Sequence, residues 1–318
     1  MELRQLQYFT CLYEEGSMTR AARRLNIVQP ALSMQIAKLE DEIGQKLFER
    51  SSKGMKPTEA GHDAYRLFLP ILRDIVDARQ QIAERSSKVI GQISVGMITS
   101  VTTSVLAATI ADFTELYPEV TVSATGGYTP DLVQMVRTGM LDFAIVNRGR
   151  RKLDLPSIDI FDEELTLVSA KSTIIPVPTP ITFRDVNKLK LVVPSKRHGL
   201  RTLIDAAAEN EDFDLTPRIE IDELSAIEEL VGSTDWVTIL PAIAIHKGLK
   251  DGTLRAHLIV APRVTRRVVA VHSNHRPLTP AARLFIESIA GKLTEAAETV
   301  HRYAEGDGAR PMAGHQAE

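Results

Sequence analysis

Two sets of polar side chains in this sequence could do chemistry, and in both sets that chemistry is recognition of a partner molecule. In the first set, the Gln29 amide can pair with an adenine edge, and the Ser33 hydroxyl can bond a base or a phosphate. Pro30, Met34 and Lys38 lie on the outward side of the same predicted helix, opposite its apolar face. These five residues are candidate DNA contacts, and a solvated helix start is the alternative for Gln29.

Basic side chains around this segment could hold the DNA backbone. Arg50 and Lys53 flank a turn and suit phosphate or minor-groove contact, and Arg20 is a further candidate. Other candidates of the same kind are Arg4, Arg23 and Arg24. For each of them the alternative is a solvated charge. Residues 1–90 carry 14 Lys and Arg against 12 Asp and Glu, which permits a DNA-facing N-terminus but does not establish one.

The second set is a run of hydroxyls that follows a segment with the pattern of a strand. Thr99, Ser100 and Thr102 stand where a helix is predicted to begin. Hydroxyls and free backbone N–H groups at a helix N-terminus form an anion site, which suits a carboxylate or phosphate ligand. For Thr99, Ser100 and the later Thr129, the alternative is that the hydroxyls only cap helices, and capping and ligand binding can coexist.

Enzymatic and metal chemistry find little support in the sequence. The eight histidines are scattered without metal-ligand spacing, and the chain has no GxxxxGK[ST], GxGxxG or GxSxG motif. Ser195 beside Lys196-Arg-His198 can be imagined as a catalytic cluster, but it has little else in its favour. The single cysteine, Cys11, excludes an intramolecular disulfide and is expected to be a buried small hydrophobe. We therefore predict no enzyme, no cofactor and no metal.

Three short helices and a turn-rich segment must position the first set. Ser17 is placed to cap the second helix, Pro30 stands in the first turn of the third, and Gly44 ends the third. A tight turn joins the second and third helices, which is the helix-turn-helix arrangement that pushes one helix into a DNA groove. Residues 51–58 then predict a wing.

A long helix is predicted from residue 59 to about residue 85. Its apolar residues recur in alternating steps of four and three, a heptad seam that a lone helix cannot bury. The seam residues are Ala64, Phe68, Ile71, Ile75, Ala78 and Ile82. Pairing with a second copy in a homodimer is the preferred interpretation, and packing on its own chain is the alternative. Pro70 should bend this helix without ending it.

Strands and helices alternate in the rest of the chain, which predicts βαβ units and a mostly parallel sheet. Two small α/β lobes would form a clamshell whose cleft binds a small molecule. The predicted divisions are a DNA-binding domain at 1–58, a linker helix and hinge at 59–90, an effector-binding domain at 91–303 and a disordered tail at 304–318. Lobe I is expected at about 91–164 and 268–303, and lobe II at about 165–267. With 44% hydrophobic residues, no membrane-length apolar stretch and no signal peptide, we expect a soluble, cytoplasmic protein.

The N-terminal residues resemble the signature of LysR-type transcriptional regulators. The matching pieces include Ala21-Ala-Arg-Arg-Leu25, Gln29-Pro-Ala-Leu-Ser33, Leu47-Phe48-Glu49-Arg50 and Pro57-Thr58-Glu59-Ala60-Gly61. The resemblance implies a multidomain α+β protein: a winged helix-turn-helix, a long linker helix and a two-lobed effector domain like periplasmic binding proteins. It also implies a dimer of dimers that binds double-stranded promoter DNA and a small effector, with RNA polymerase as a further candidate partner.

The resemblance also implies effector contacts. Ser100 is a position at which relatives contact the effector, with Thr129 opposite and Asn147 after the third strand. Ser195 and His198 are candidates for closing the cleft from the second lobe. Relatives that bind aromatic carboxylates often carry arginine at the position of Asn147, so the neutral side chain favours a different or an uncharged polar ligand. The charge of the effector is therefore left open between the two interpretations.

Two residues depart from the family pattern at the recognition helix. Val28 stands where relatives have a Ser or Thr cap, a loss of about 1 kcal/mol unless Asn26 substitutes. Met34 stands where relatives often carry a basic reader, which opens an apolar contact with a thymine methyl group. Two rival functions remain: a two-lobed solute-binding protein without regulatory DNA reading, and a regulator that needs no effector.

Overall fold

The computed structural model describes most of the chain in two compact units. The described residues are 1–51, 54–83, 88–149, 154–178, 181–274 and 276–306. One unit comprises residues 1–91 with 135–141, and the other comprises residues 92–134 with those from 142 onward. Several sequence predictions lie outside the described residues: Lys53, the last two predicted residues of the long helix (84–85), the start of the hinge (86–87) and the tail from 307 to 318.

Three helices open the first unit and share one apolar core. They are α1 (Leu3–Glu15), α2 (Met18–Arg24) and α3 (Gln29–Ile43). The Ser17 hydroxyl accepts the backbone N–H of the third residue of α2 at 3.5 Å, so it caps α2 as predicted. The core residues that these helices bury completely include Phe9, Leu12, Leu32 and Leu39. The helix-turn-helix prediction is therefore confirmed.

A two-stranded antiparallel hairpin follows α3 and is fastened to it by a buried acid. Its strands are β1 (Phe48–Ser51) and β2 (Gly54–Pro57). The Glu40 carboxylate accepts the backbone N–H groups of Leu47 at 2.9 Å and Phe48 at 3.2 Å. Because Glu40 is only 7% exposed, these bonds satisfy a charge that would otherwise be costly to bury. The hairpin therefore starts at a fixed place relative to the recognition helix.

The long helix α4 (Glu59–Ala83) packs its first turns on its own chain. Ala64 and Phe68 are buried, and the Phe68 ring lies 5.5 Å from the Phe9 ring in an edge-to-face arrangement. For this part of the predicted seam, the alternative of packing within the chain is therefore correct. Further along, Ile71 is 43% exposed. Leu67 is 66% exposed, so the apolar surface that a second copy could cover starts beside Phe68 and continues to Ile71.

The second unit alternates strands and helices around one curved sheet. Its strands are β3 (Gly91–Ile98), β4 (Val120–Gly127), β5 (Phe143–Asn147), β6 (Ser157–Ala170), β7 (Ile181–Thr182), β8 (Leu191–Val193), β9 (Ile219–Glu220), β10 (Val237–Pro241), β11 (Leu254–Ala261) and β12 (Thr265–His272). Its α-helices are α5 (Thr99–Val101), α6 (Ala107–Leu116), α7 (Thr129–Arg137), α8 (Phe183–Val186), α9 (Gly199–Asn210), α10 (Leu224–Ser233), α11 (His246–Lys250) and α12 (Pro280–Gly306). A π-helical segment covers Thr102–Leu106, and a 3₁₀ segment covers Ala242–Ile245.

The strand β6 is shared by both halves of this sheet. The strand order is β4-β3-β5-β12-β6-β10-β8-β9, with β11 pairing to β6 and β7. From Ser157 to Glu164, β6 pairs with β12, and from Leu165 to Val168 it pairs with β10. The two lobes therefore meet along one continuous strand, at its change of partner.

The expectation of a mostly parallel sheet was wrong. The sheet is mixed: β3 with β5, β8 with β10, β8 with β9 and β7 with β11 are parallel, whereas β6 runs antiparallel to β10, β11 and β12, and β5 runs antiparallel to β12. The sequence analysis missed β11 and the first half of β6, because acidic residues interrupt the apolar pattern of Ser157–Glu164. The last helix also continues to residue 306, past the predicted end at 303. No helix within the described residues is both long and apolar enough to span a membrane.

Candidate nucleic-acid interface and effector cleft

The recognition helix α3 has one buried side and one exposed side. Leu32, Ile36 and Leu39 are at most 3% exposed and face the core of the first unit. On the opposite side, Pro30 is exposed and Met34 is 67% exposed. This outward side is available to a partner, because the core needs only the other one.

The polar candidates on α3 are exposed to different degrees and two of them have partners. Gln29 is exposed, and its Oε1 atom accepts a hydrogen bond from the Thr19 hydroxyl at 3.2 Å. Ser33 is half-buried. The Lys38 ammonium lies 3.4 Å from the Glu2 carboxylate, and 61% of its side chain is exposed. The contact with Thr19 fixes the Gln29 amide, whereas the exposed pair of Lys38 contributes little and can re-form with a phosphate.

Val28 occupies the N-cap position of α3 without capping it. Its side chain makes no cap hydrogen bond and is 69% exposed. Asn26 takes the left-handed conformation, with φ at 54°, in the turn between α2 and α3. Pro30 in the first turn lacks an N–H, so α3 has one donor fewer to satisfy. The first turn of the recognition helix therefore presents an apolar side chain where a polar cap is common.

The basic candidates differ in whether a carboxylate of the same chain already pairs with their charge. Arg50 is exposed on β1. The Arg20 side chain is 64% exposed, but its guanidinium contacts both the carboxylate and the backbone carbonyl of Glu15. Arg24 lies 2.7 Å from the Glu14 carboxylate. Arg50 is therefore better placed than Arg20 for a phosphate contact.

Two of the candidate effector residues, Ser100 and Asn147, contact a buried arginine that was not predicted from the sequence. Arg266, in β12, is only 2% exposed. Its Nη1 atom donates to Ser100 Oγ at 2.8 Å and lies 3.3 Å from Asn147 Oδ1. Ser100 and Asn147 are themselves 2% and 5% exposed. Arg266 therefore brings together two of the residues that the sequence predicted, and it fixes the direction of the Asn147 amide.

Glu163 neutralises this arginine. Arg266 Nε donates to Glu163 Oε1 at 2.7 Å, and Nη2 contacts the same oxygen. The two side chains are 1% and 5% exposed, so neither charge has water to solvate it. Glu163 Oε2 also accepts the backbone N–H of Ile243 at 3.2 Å. The ion pair therefore connects Ser100, beyond the end of β3, with the 3₁₀ segment after β10.

A buried hydroxyl and a glycine lie beside this network. Among the described residues, no hydrogen-bond partner reaches the buried Thr129 Oγ1 atom. A Cβ atom added to Gly199 would lie 3.7 Å from both Thr129 Oγ1 and Asn147 Nδ2, which is ordinary van der Waals contact. Buried hydroxyls normally have a hydrogen-bond partner, so the unpaired Thr129 hydroxyl is an exception within this network. Thr129 and Asn147 therefore lie close together, both beside Gly199.

His198 is a neutral helix cap in this cleft. Its Nδ1 atom accepts the Leu200 N–H at 3.1 Å, which assigns the proton to Nε2. Burial lowers the pKa of His198; the Asp222 carboxylate opposes this shift, and the Arg266 charge adds to it. The ring packs edge-on against Tyr128, with centroids 5.6 Å apart. His198 therefore brings no positive charge to the cleft at neutral pH.

Ser195 belongs to a second polar contact between the lobes. Its backbone N–H donates to Asp222 Oδ1 at 3.0 Å, and the Tyr128 hydroxyl bonds the same carboxylate. Hydrogen bonding to Ser195 is the largest cause that lowers the pKa of Asp222. Arg197 lies over the Tyr128 ring at 5.9 Å. Because Tyr128 directly precedes α7 and Ser195 precedes α9, these contacts join the two lobes.

Thr99 and Thr102 stand apart from the arginine network. The Thr102 hydroxyl donates to the backbone carbonyls of Ile98 at 3.3 Å and Met97 at 3.4 Å. Thr99 is half-buried at the start of α5, which continues as the π-helical segment. Because these bonds run from a hydroxyl to carbonyls, Thr102 does not cap the start of the helix, and no side-chain cap hydrogen bond forms at α5. Ser100 is instead held by Arg266.

Sequence reasoning missed four residues of the cleft, namely Tyr128, Glu163, Asp222 and Arg266. Arg266 stands beside Arg267 near the start of β12, and Glu163 lies within an acidic run. Neither position differs from an exposed charge in its local pattern. Their pairing across β6 and β12 is what buries them.

Cys11 lies in the apolar core of the first unit. Cys11 is 6% exposed and burial raises the pKa of its thiol, as expected for a small buried hydrophobe. Within the part of the chain that the structure describes, no cluster of three or more His, Cys, Asp or Glu could hold a metal ion.

Known proteins match this chain along most of its length. Residues 3–62 match the family described as bacterial regulatory helix-turn-helix protein, lysR family, and residues 86–294 match the LysR substrate binding domain. The HTH-type transcriptional regulator CzcR of Bacillus anthracis is 27% identical over 292 residues, 91% of this chain and 97% of CzcR. The HTH-type transcriptional regulator SoxR of Arthrobacter sp. is also 27% identical, over 91% of this chain and 96% of SoxR.

Solved structures share the fold. Full-length OxyR from Pseudomonas aeruginosa superimposes with a TM-score of 0.70 at 24% identity, over 92% of this chain and 94% of OxyR. CbnR in complex with its target DNA gives a TM-score of 0.65 at 22% identity, over 92% of this chain and 100% of CbnR. At these identities the likeness establishes the architecture and nothing finer.

Proposed function

The chain belongs to the LysR family of bacterial transcriptional regulators, and on that basis we propose how it reads DNA and senses its effector. It is a DNA-binding transcriptional regulator with a helix-turn-helix domain and an effector-binding domain. The helix-turn-helix match favours this function over a solute-binding protein without DNA reading. In our proposal α3 enters the major groove, Gln29 and Ser33 contact base edges, and Arg50 contacts a phosphate. The outward side of α3 is the observation that supports this assignment.

Replacing Gln29 and Ser33 together by alanine is expected to weaken specific DNA binding by roughly 1–3 kcal/mol for each lost base contact. Salt-driven, non-specific binding should keep its affinity, because it depends on phosphate contacts. Fluorescence anisotropy of a labelled duplex from the promoter region beside the gene, measured across a salt series with scrambled competitor, separates the two kinds of binding. Gln45→Ala, which removes an exposed amide just beyond α3, is the matched control. Unchanged discrimination in the double variant would contradict the assignment.

For the effector, we propose a small polar molecule without net charge, bound beside Thr129 and Asn147. The only buried cation found in the described part of this cleft, Arg266, already has its counter-ion in Glu163, and His198 is neutral. An anion would therefore need to displace Glu163 from a buried, hydrogen-bonded pair, which is costly. A neutral ligand needs only the unpaired Thr129 hydroxyl and the amide of Asn147. This proposal takes the uncharged alternative that the sequence left open.

Thr129→Val is expected to have opposite effects on stability and on effector binding. Removing an unsatisfied buried hydroxyl should raise the free energy of unfolding by up to about 1 kcal/mol, whereas loss of its bond to the ligand should weaken effector affinity about tenfold. Thermal shift with a panel of small carboxylic acids and their matching amides identifies ligands and measures both effects. Thr102→Val is the control, because that hydroxyl bonds only backbone in this structure. If the Thr129 variant responds at the same ligand concentration as the parent, the site lies elsewhere.

Exposed apolar side chains on α4 favour assembly of the protein with a second copy of itself. In α4, Leu67 is 66% exposed and Ile71 43% exposed, and a second copy of the helix would cover such side chains. We propose a homodimer through this helix and, as in the implied family organisation, a homotetramer. Residues 1–58 would read DNA, residues 59–90 would link the dimer, and residues 91–303 would bind the effector. The protein would act in the cytoplasm, where its DNA is, with RNA polymerase as a further candidate partner.

A further inference from the structure

The recognition helix α3 exposes large apolar side chains, although the base edges that such a helix reads are mostly polar. Val28 is 69% exposed at the N-cap and Met34 is 67% exposed five residues into the helix. Both are large hydrophobic side chains that the core does not use. Pro30, between them, is also exposed. Pro30 and Met34 lie on the side of α3 opposite Leu32 and Ile36, and Val28 is exposed at the N-terminal end of the helix. These three residues form the apolar reading surface.

The polar side chains near the apolar reading surface offer few hydrogen bonds for base recognition. Gln29 Oε1 already accepts a hydrogen bond from the Thr19 hydroxyl at 3.2 Å, so a contact within the chain orients the amide before DNA binds. Lys38 is placed beside Glu2. Arg50, on β1, is an exposed cation that suits a phosphate rather than a base edge. Base selection by hydrogen bonds therefore rests on few groups.

We propose that Val28 and Met34 recognise DNA by packing against the C5 methyl groups of thymine in the major groove. The thymine methyl is the one apolar group that a base pair presents there, and apolar side chains select it by burying it. The exposed cation Arg50, on β1, supplies a charge that attracts the phosphate backbone to this unit. This inference rests on the proposed entry of α3 into the major groove, and it assigns part of the sequence specificity to two apolar residues.

Methyl deletion in the DNA tests this inference directly. A duplex is first selected from a random library with the full-length chain at fixed salt, and each thymine is then replaced in turn by deoxyuridine. Deoxyuridine keeps every hydrogen-bonding group of thymine and lacks only the methyl. Burial of about one methyl group corresponds to roughly a fourfold change in affinity, and we expect such a loss at one or two thymines in each half-site.

Alanine variants of the protein test which side chain contacts which thymine methyl group. Met34→Ala and Val28→Ala should weaken binding to the thymine duplex and abolish the deoxyuridine effect, each at a different position. The slope of affinity against salt should stay unchanged, because no phosphate contact is removed. Ile43→Ala, at the far end of α3 and 38% exposed, should leave the deoxyuridine profile as it is.

The outcomes separate this inference from the function on which it rests. Position-specific deoxyuridine losses that disappear in the matching alanine variant support it. The inference is overturned if no deoxyuridine replacement changes the affinity for a specific duplex. It is also overturned if both alanine variants are as sensitive to deoxyuridine as the parent. In either case the assignment as a DNA-binding regulator stands. Failure to select any specific duplex overturns the proposed DNA reading and this inference together.

Discussion

Replacing Glu163 by leucine is expected to lower the free energy of unfolding of the effector-binding unit by about 3–5 kcal/mol. The substitution leaves Arg266 charged, 2% exposed and without its counter-ion, and a buried charge that loses its partner is destabilising by this amount. Urea denaturation of the full chain, followed by the fluorescence of its single tryptophan, Trp236, measures the change. Trp236 directly precedes β10, the strand that pairs with β6, so its signal reports on this sheet.

Two comparisons make this prediction specific to the ion pair. Glu164→Leu removes the neighbouring carboxylate, whose partner Arg263 is 67% exposed, and should change stability by less than about 1 kcal/mol. The double variant Glu163→Leu with Arg266→Met should lose much less than the sum of the two single variants, since no unpaired charge is left. Equal losses for Glu163→Leu and Glu164→Leu would show that the pair does not stabilise the cleft.

Gly61→Ala is expected to destabilise the N-terminal unit by about 3 kcal/mol or more and to weaken specific DNA binding with it. A Cβ atom at this position would lie 2.1 Å from the backbone oxygen of Leu47, far inside van der Waals contact. That oxygen is fixed, because it also accepts the Thr58 N–H at 3.0 Å. The first turn of α4 would have to move away from the hairpin that follows the recognition helix. Circular dichroism during urea denaturation and anisotropy of the selected duplex measure the two effects.

Gly291→Ala provides the matched control for this substitution. Gly291 also lies within a helix, α12, but a Cβ atom there meets nothing within 4 Å. Alanine favours a helix over glycine by about 1 kcal/mol, so this variant should be as stable as the parent or more stable. DNA affinity in Gly61→Ala equal to that of the parent would contradict the close approach of α4 to Leu47.

The buried ion pair gives the cleft a structural role as well as a polar lining. Arg266 reaches Ser100, which follows β3, and Glu163 reaches the backbone of Ile243, which follows β10. Glu163 is also the residue before Glu164, where β6 changes its pairing from β12 to β10. A ligand next to Thr129 and Asn147 would therefore bind beside the contact that joins the two lobes.

The sequence by itself determined the N-terminal unit in detail. The cap at Ser17, the glycine after α3 and the apolar spacing of Leu32, Ile36 and Leu39 are confirmed in the structure. These signals act between residues within about two helical turns of each other, so a linear pattern is enough to read them. Alternating strands and helices likewise indicated the two-lobed unit. The resemblance of the Ser100 and Asn147 positions to effector contacts in the family predicted where its cleft would be.

Only the tertiary structure decided which charges belong to that cleft. In the register of β6 with β12, Arg266 lies opposite Glu163, and Arg267 lies opposite Asp162. Successive residues of a strand point to opposite faces, so the first pair is buried and the second, with side chains 45% and 56% exposed, faces water. The two arginines are indistinguishable in the sequence, because their environments are set by a strand about one hundred residues away. A register shift of one residue would exchange them.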